Sequence, residues 1–242
     1  AYILHHALHI PGNISTLIGV GSSICGGSAI AATAPVIDAD DEEVAQSISV
    51  IFFFNVIAAI LFPWLGHIIG FSTVSGEPFG IFAGTAVNDT SSVTAAASTW
   101  DSMWSLGSAT LDTAVTVKLT RTLAIIPITL ALAFRRTRRA KQSGGEGASV
   151  NIRAIFPTFI LYFICASIIT TAASAVGIDA SVFAPVKELS RFFLVLAMAA
   201  IGLNTDIVKL IRSGGKPLIL GFACWTGITV VSLLMQHIMG IW

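Results

Sequence analysis

Charge is what this 242-residue chain has least of: 11% Asp, Glu, Lys and Arg against 55% hydrophobic residues. A soluble domain carries about 25% charged side chains, so this chain cannot coat a water-facing surface. That argues against a soluble all-α protein with a large core. Its mean hydropathy is +0.85, and apolar runs recur near ~20 residues, the length that crosses a bilayer. The formal net charge is zero and no basic patch lies on a soluble face, so nucleic acid is not an expected partner. Cysteine is scarce too. Cys25, Cys165 and Cys224 lie far apart, with no CxxC or zinc spacing. There is no HExxH motif and no paired set of catalytic acids, and GSSICG has no His base close by. The expectation is therefore a protein that is not an enzyme and needs no cofactor. His5 and His9 share a helix face, but two ligands without a third do not make a metal site. The chain opens on AYILHHALHIPG, without an initiator Met, and this stretch does not read as a signal peptide. The expectation here is the C-terminal portion of a longer chain.

What the sequence has instead is hydrophobic length. The fold class is all-α: a polytopic helical membrane protein with about seven membrane segments forming a single transmembrane domain over 1–242. The segments run Ile14–Ile37, Val44–Gly66, Ile81–Trp100, Ser105–Phe134, Ile152–Val176, Val186–Ile207 and Pro217–Trp242. The fourth is about thirty residues, too long for one simple span, so its start is expected to be a separate short helix. RRTRRAKQSGGEGAS, Arg135–Ser149, is the clear extramembrane loop. Its basic residues place it in the cytoplasm, and Lys209, Arg212 and Lys216 fall on the same side. Gly177–Pro185 is then outside. The expected surroundings are the lipid bilayer.

Two of these segments are unlike membrane helices. GSSICGGSAIAATAPVI, residues 21–37, holds three glycines, three serines and a cysteine inside an apolar run. Irregular backbone at membrane depth survives only where protein or a water-filled cavity surrounds it. Close helix packing through small residues accounts for the pattern, and so does a discontinuous helix whose free N–H groups face an anion. AVNDTSSVTAAA, residues 86–97, is the second. Asp89 is the only acid between Glu77 and Asp101. An acid within the membrane is by default a functional hypothesis; a helix cap through Thr90–Ser92 is the bland alternative.

Lys118 and Arg121, three apart, share one helix face. Arg121 lies fourteen residues before the Arg135 cluster, roughly 20 Å along a helix. A cation at that depth wants a carboxylate or a bound anion, and Asp89 or Asp112 could supply the carboxylate. Snorkelling of both to a headgroup layer is the alternative. The stretch AIGLNTD, residues 200–206, ends its span either as a plain helix terminus or as another break. The terminal Trp242 and His237 read as interfacial anchors.

Taken together, GSSICGGSAIAATAPVI, AVNDTSSVTAAA, ATLDTAVTVKLTR, AMAAIGLNTD and GGKPLILGF resemble the YeiH-type family, bacterial membrane proteins labelled as sulfate exporters. The resemblance covers nearly the whole chain from about Leu17. It implies an inverted-repeat transporter with crossing discontinuous helices, moving sulfate or sulfite. On that reading Ser22, Ser23, Cys25, Gly26, Gly27 and Ser28 offer hydroxyls and N–H groups to a small anionic substrate, and Lys118 and Arg121 balance its charge. Asn88 and Asp89, flanked by Thr90 and Ser91, look similar to the Asn-Asp pairs that carry the coupling proton or sodium ion in related antiporters. A cation/proton antiporter, an organic-anion carrier and a non-transporting membrane scaffold are the alternatives. Glycine-rich faces permit a homodimer.

Overall fold

The computed structural model describes residues 1–125, most of 127–135, 158–186, scattered positions over 188–196, and 215–242. Every regular element among them is helical. The chain divides into two units, one of residues 1–148 and 207–242, the other of residues 149–206. In the first unit, α1 (Tyr2–Leu8), α2 (Gly12–Ser23), α3 (Gly27–Ile37), α4 (Asp41–Ile69), α5 (Glu77–Ala86), α6 (Thr90–Trp104) and α7 (Ala109–Thr122) follow in order. In the second unit α8 (Thr158–Ala175) leads through a turn into a 3-10 helix, Ala180–Phe183. The helix α9 (Gly215–Ile238) belongs to the first unit.

The central element is α4. It starts where the acidic connector provides a capping box. Asp40 Oδ1 accepts from the Glu43 N–H at 2.8 Å, and Glu43 Oε2 accepts from the Asp40 N–H at 3.2 Å. Asn13 of α2 donates to the same Glu43 oxygen at 2.9 Å, so the cap also ties α2 to α4. The run of acids puts three carboxylates in the first turn, Asp41, Glu42 and Glu43, where the positive helix end favours them.

Which faces α4 buries identifies its solvent. Ser47 and Asn55 are fully buried, on the same side as Ile51, Phe54, Ala58 and Phe62. The opposite stripe, Val56, Ile60, Trp64 and Ile68, repeats every four residues and is exposed. Polar inside and apolar outside is the arrangement for hydrocarbon surroundings, not water. The same holds for α9, which exposes Phe222, Val230, Leu234 and Ile238 and buries Ser232 and Gln236. Both helices are long and apolar enough to cross a membrane.

Aromatic rings fill the space between α4, α5 and α6. Phe79 stacks on Trp100 with centroids 4.3 Å apart, and Phe62 stacks on Trp225 of α9 at 5.5 Å. A second apolar cluster, including Leu17, Ile18, Ile30, Val50 and Ile51, joins α2, α3 and α4.

Against these rings α5 packs closely on α7 through Gly76, Gly80 and Gly84. A Cβ added at Gly80 would stand 2.8 Å from Thr113 Cβ and 2.9 Å from the Thr110 carbonyl oxygen. Four-residue glycine spacing on one face is how membrane helices bring their backbones together.

Between α6 and α7 the chain turns tightly through Ser105 and Gly107, both in the left-handed region. Asp101 reaches across the turn and caps α7: its two oxygens accept from the Thr110 and Leu111 N–H groups, each at 3.0 Å. Removing that carboxylate leaves both donors unpaired. Asp101→Ala should therefore lower stability by about 1–2 kcal/mol, read as a fall in the unfolding temperature of the detergent-solubilised protein.

All the expected segments but the sixth overlap these helices, with informative differences; the sixth, 186–207, lies mostly outside the described residues. The first is two helices, α2 and α3, interrupted at residues 24–26. The third begins earlier, at Glu77, and breaks at Val87–Asn88 into α5 and α6. The fourth starts as a separate 14-residue helix, α7, as expected, and is interrupted at Leu123–Ala124. The basic loop after Arg135 and the AIGLNTD stretch lie outside the described residues. In the second unit, α8 is an apolar helix with Tyr162, Ile168 and Ile169 exposed. The Ser181 backbone N–H, with help from its hydroxyl, holds the Asp179 carboxyl below its ordinary pKa in the connector that follows.

Candidate functional site: the crossing of two helix breaks

Why these two helices break where they do follows from local chemistry. At the end of α2 the chain enters Ile24 in a non-helical conformation, then Cys25, then Gly26 at φ 69° and ψ −125°. Only glycine adopts that backbone without strain, so Gly26 is what lets α3 restart. In the second break Val87 is extended, and Asp89 is the N-cap of α6. One Asp89 oxygen accepts from the Ser91 N–H at 3.1 Å and the Ser92 N–H at 3.4 Å, and from the Ser91 hydroxyl. The capping alternative raised by the sequence is therefore realised, in a residue that is also half-buried at a helix break.

The two breaks come together. A Cβ added to Gly26 would stand 3.6 Å from Asp89 Cβ, 3.6 Å from Asn55 Nδ2 and 3.4 Å from Ile51. Asn55 of α4 holds the second break directly: its Oδ1 accepts from the Asn88 N–H at 3.1 Å. Asn88, Asn55 and Lys118 are all at most 1% exposed.

Each interrupted helix leaves carbonyls without intrahelical partners at the end of its first half. Here Lys118 and Arg121 of α7 take them up. Lys118 Nζ donates to the Ile24 carbonyl at 2.8 Å and to the Val87 carbonyl at 2.9 Å, so one ammonium closes both breaks. Arg121 donates to the Ser23 carbonyl at 2.9 Å, to the Ser22 carbonyl at 2.5 Å and to the Thr85 carbonyl. Its remaining contact is Asn88 Oδ1 at 3.2 Å. Two basic side chains thus sit at the carbonyl ends of α2 and α5, the end of a helix that favours donors and positive charge.

This differs from the carboxylate partner expected for Arg121. Asp112, one expected partner, accepts from the Ser108 hydroxyl at 2.9 Å, and Asp89 caps α6. Carbonyl groups serve the guanidinium because a broken helix supplies several of them at one place.

The remaining predicted residues separate into inward and outward groups. Cys25 and Ser22 are buried; the Ser22 hydroxyl has no partner among the described residues. Ser23 and Ser28 are exposed, and the Ser23 hydroxyl donates back to the Gly19 carbonyl at 2.6 Å. Gly27 is half-buried against the Phe52 ring. Thr90 and Ser91 are half-buried in the first turn of α6. A cavity of about 1510 Å³ opens beside the crossing, with Ser22, Ser23, Thr85, Arg121, Ser232 and Gln236 in its wall. Thr85 and Ser232 hydroxyls hydrogen-bond at 2.6 Å within it.

Asn55 was not among the residues that the sequence pointed to. It sits in the most ordinary-looking apolar run of the chain, SVIFFFNVIAAILF, where a lone amide was the available signal.

Comparison with known proteins places the chain in a family. The family described as conserved hypothetical protein 698 matches residues 1–221. A UPF0324 membrane protein of Streptococcus mutans is 58% identical over 243 residues, covering all of this chain and 70% of that protein. A second, from Fusobacterium nucleatum, is 57% identical over 252 residues, covering all of this chain and 71% of its own length. A third, from Streptococcus agalactiae, is 56% identical over 242 residues with 70% of its length covered. No solved structure matches. The chain belongs to this family of membrane proteins, also called UPF0324.

Proposed function

We propose that this chain forms the substrate crossing of an ion-coupled secondary transporter that moves a small inorganic oxyanion, sulfate or sulfite. The observation that carries this reading is the meeting of two interrupted helices in an apolar, membrane-type chain, with Lys118 closing both breaks. Discontinuous helices near the bilayer midplane are the binding elements of inverted-repeat carriers. The same sequence stretches that form the breaks carry the resemblance to the proteins labelled as sulfate exporters.

In this reading Asp89, at the α6 break and beside Gly26, takes up and releases the coupling proton. Asn88 keeps the break in register through its bonds to Asn55 and Arg121. Lys118 and Arg121 hold the two half-helix ends as fixed posts, since each already donates to carbonyls of both breaks. A cation/proton antiporter is the second reading. It is favoured by that same commitment of both basic side chains to the backbone, which leaves Asp89 as the acidic group at the crossing.

Flux of labelled sulfite and sulfate into proteoliposomes, with and without an imposed pH gradient, tests the reading. Gradient-dependent uptake that Asp89→Asn reduces at least about tenfold is the expected result. Uptake of neither anion, in vesicles where sodium or proton exchange is measurable, would transfer the protein to the antiporter reading.

A further inference from the structure

The amide of Asn55 is half used. Its oxygen accepts from the Asn88 N–H, which can only donate, so the orientation of the amide is fixed. The nitrogen then points the other way, toward Gly26, and has no partner among the described residues. Asn55 is 0% exposed. A buried amide nitrogen without an acceptor costs about 1–3 kcal/mol, and such a group calls for an explanation.

Beside it stands the start of α3. Gly26 is its N-cap and provides no side-chain oxygen. The Gly27 and Ser28 N–H groups fall in the first turn, where no intrahelical acceptor exists, and no other acceptor is found among the described residues. The contrast with α6 is direct, because there Asp89 fills the same role. The Ala29 N–H is taken by the Cys25 sulfur, but the two N–H groups before it remain, together with the positive end of the helix dipole. The Asn55 nitrogen adds a side-chain donor from a different helix to the same place. The groups that α3 and Asn55 present are donors, matching an acceptor with several oxygens; Asp89 is equally near Gly26, so a negatively charged ligand there goes with a protonated Asp89.

We infer that Asn55 is a substrate-contacting residue, and that its amide nitrogen and the first N–H groups of α3 form the oxyanion subsite of the crossing. This rests on the transport reading above and gives it an address distinct from the Lys118 and Arg121 side. The Asn55 end of the subsite is fully buried, so a ligand reaches it as the two breaks part, the kind of movement that alternating access supplies. Asn55 joins the two events: one end of its amide holds the α6 break and the other meets the ligand.

Asn55→Asp is the discriminating substitution. It keeps an oxygen for the Asn88 N–H and puts a second oxygen where the donor was. In proteoliposomes the KM for sulfate or sulfite should rise about 10- to 100-fold, the loss expected for a hydrogen bond to a charged group, while kcat stays within about threefold. A second measurement leaves Asn55 intact. With Cys165 and Cys224 changed to Ser, the single thiol is Cys25, buried next to Gly26. Inorganic sulfate should slow its modification by a membrane-permeant maleimide at least about fivefold. An unchanged KM in Asn55→Asp overturns the assignment, as does an unprotected Cys25 in a protein that transports sulfate. Absence of oxyanion flux in the wild type overturns the transport reading instead, before Asn55 is at issue.

Discussion

Lys118→Met should be the most damaging single substitution on α7. Methionine matches the length and apolar stem of lysine but has no donor. The Ile24 and Val87 carbonyls, bonded to Nζ at 2.8 and 2.9 Å, would both lose their partner in a fully buried place. Each such loss costs about 1–3 kcal/mol, and the favourable charge at two helix ends goes with it. The combined cost of several kcal/mol is a large share of the 5–15 kcal/mol that holds a domain folded. The expected outcome is loss of the monodisperse protein peak in detergent, or an unfolding temperature lowered by ten degrees or more. Arg121→Met should be milder. Its guanidinium is half-buried and faces the cavity, so water can reach the carbonyls it leaves. If Lys118→Met retained wild-type stability and Arg121→Met did not, the roles given to these two cations would be reversed.

The contrast between the two cations also shows what the sequence made legible. Their shared face and their depth could be read from spacing, and the structure brings both to the glycine break. Their partners were not legible. A helix break is local, but the carbonyls it frees become partners only when α2 and α5 converge on α7, and nothing in the order of residues reports that convergence. Asp89 is the opposite case. The motif NDTSS contains its whole capping geometry, with donors two and three positions ahead, so the sequence held the local answer. Asn55 lay beyond reach because a lone amide in FFFNVIAAIL has no local pattern; it acquires meaning from Gly26 and Asn88, brought in from elsewhere in the chain. The capping box at Asp40 and Glu43 was within reach: a carboxylate followed three residues later by Glu, ahead of an apolar run, is a helix start signal.

The glycine face of α5 gives the second large effect, and it was equally visible as spacing. Gly76, Gly80 and Gly84 recur every four residues, but the partner surface on α7 had to come from the fold. At Gly84 an added Cβ would stand 2.7 Å from the Ala114 carbonyl oxygen and 2.8 Å from Val117 Cβ. The first neighbour is backbone and the second is the stiff branch point of a valine, so neither can turn aside. Gly84→Leu must push α5 away from α7. That same displacement draws Thr85 and Val87 off Arg121 and Lys118, because these carbonyls follow directly in the chain. Overpacking alone costs about 1–3 kcal/mol, and the lost carbonyl bonds add to it. Gly84→Leu should therefore abolish accumulation of folded protein, and Gly84→Ala should lower the unfolding temperature measurably. Gly227 in α9 is the control: nothing lies within 4 Å of its added Cβ. Gly227→Ala should be neutral or slightly stabilising, since alanine is the better helix former by about 1 kcal/mol. Equal tolerance at positions 84 and 227 would mean that α5 and α7 do not depend on backbone contact, and the posts on α7 would then need another support to reach both breaks.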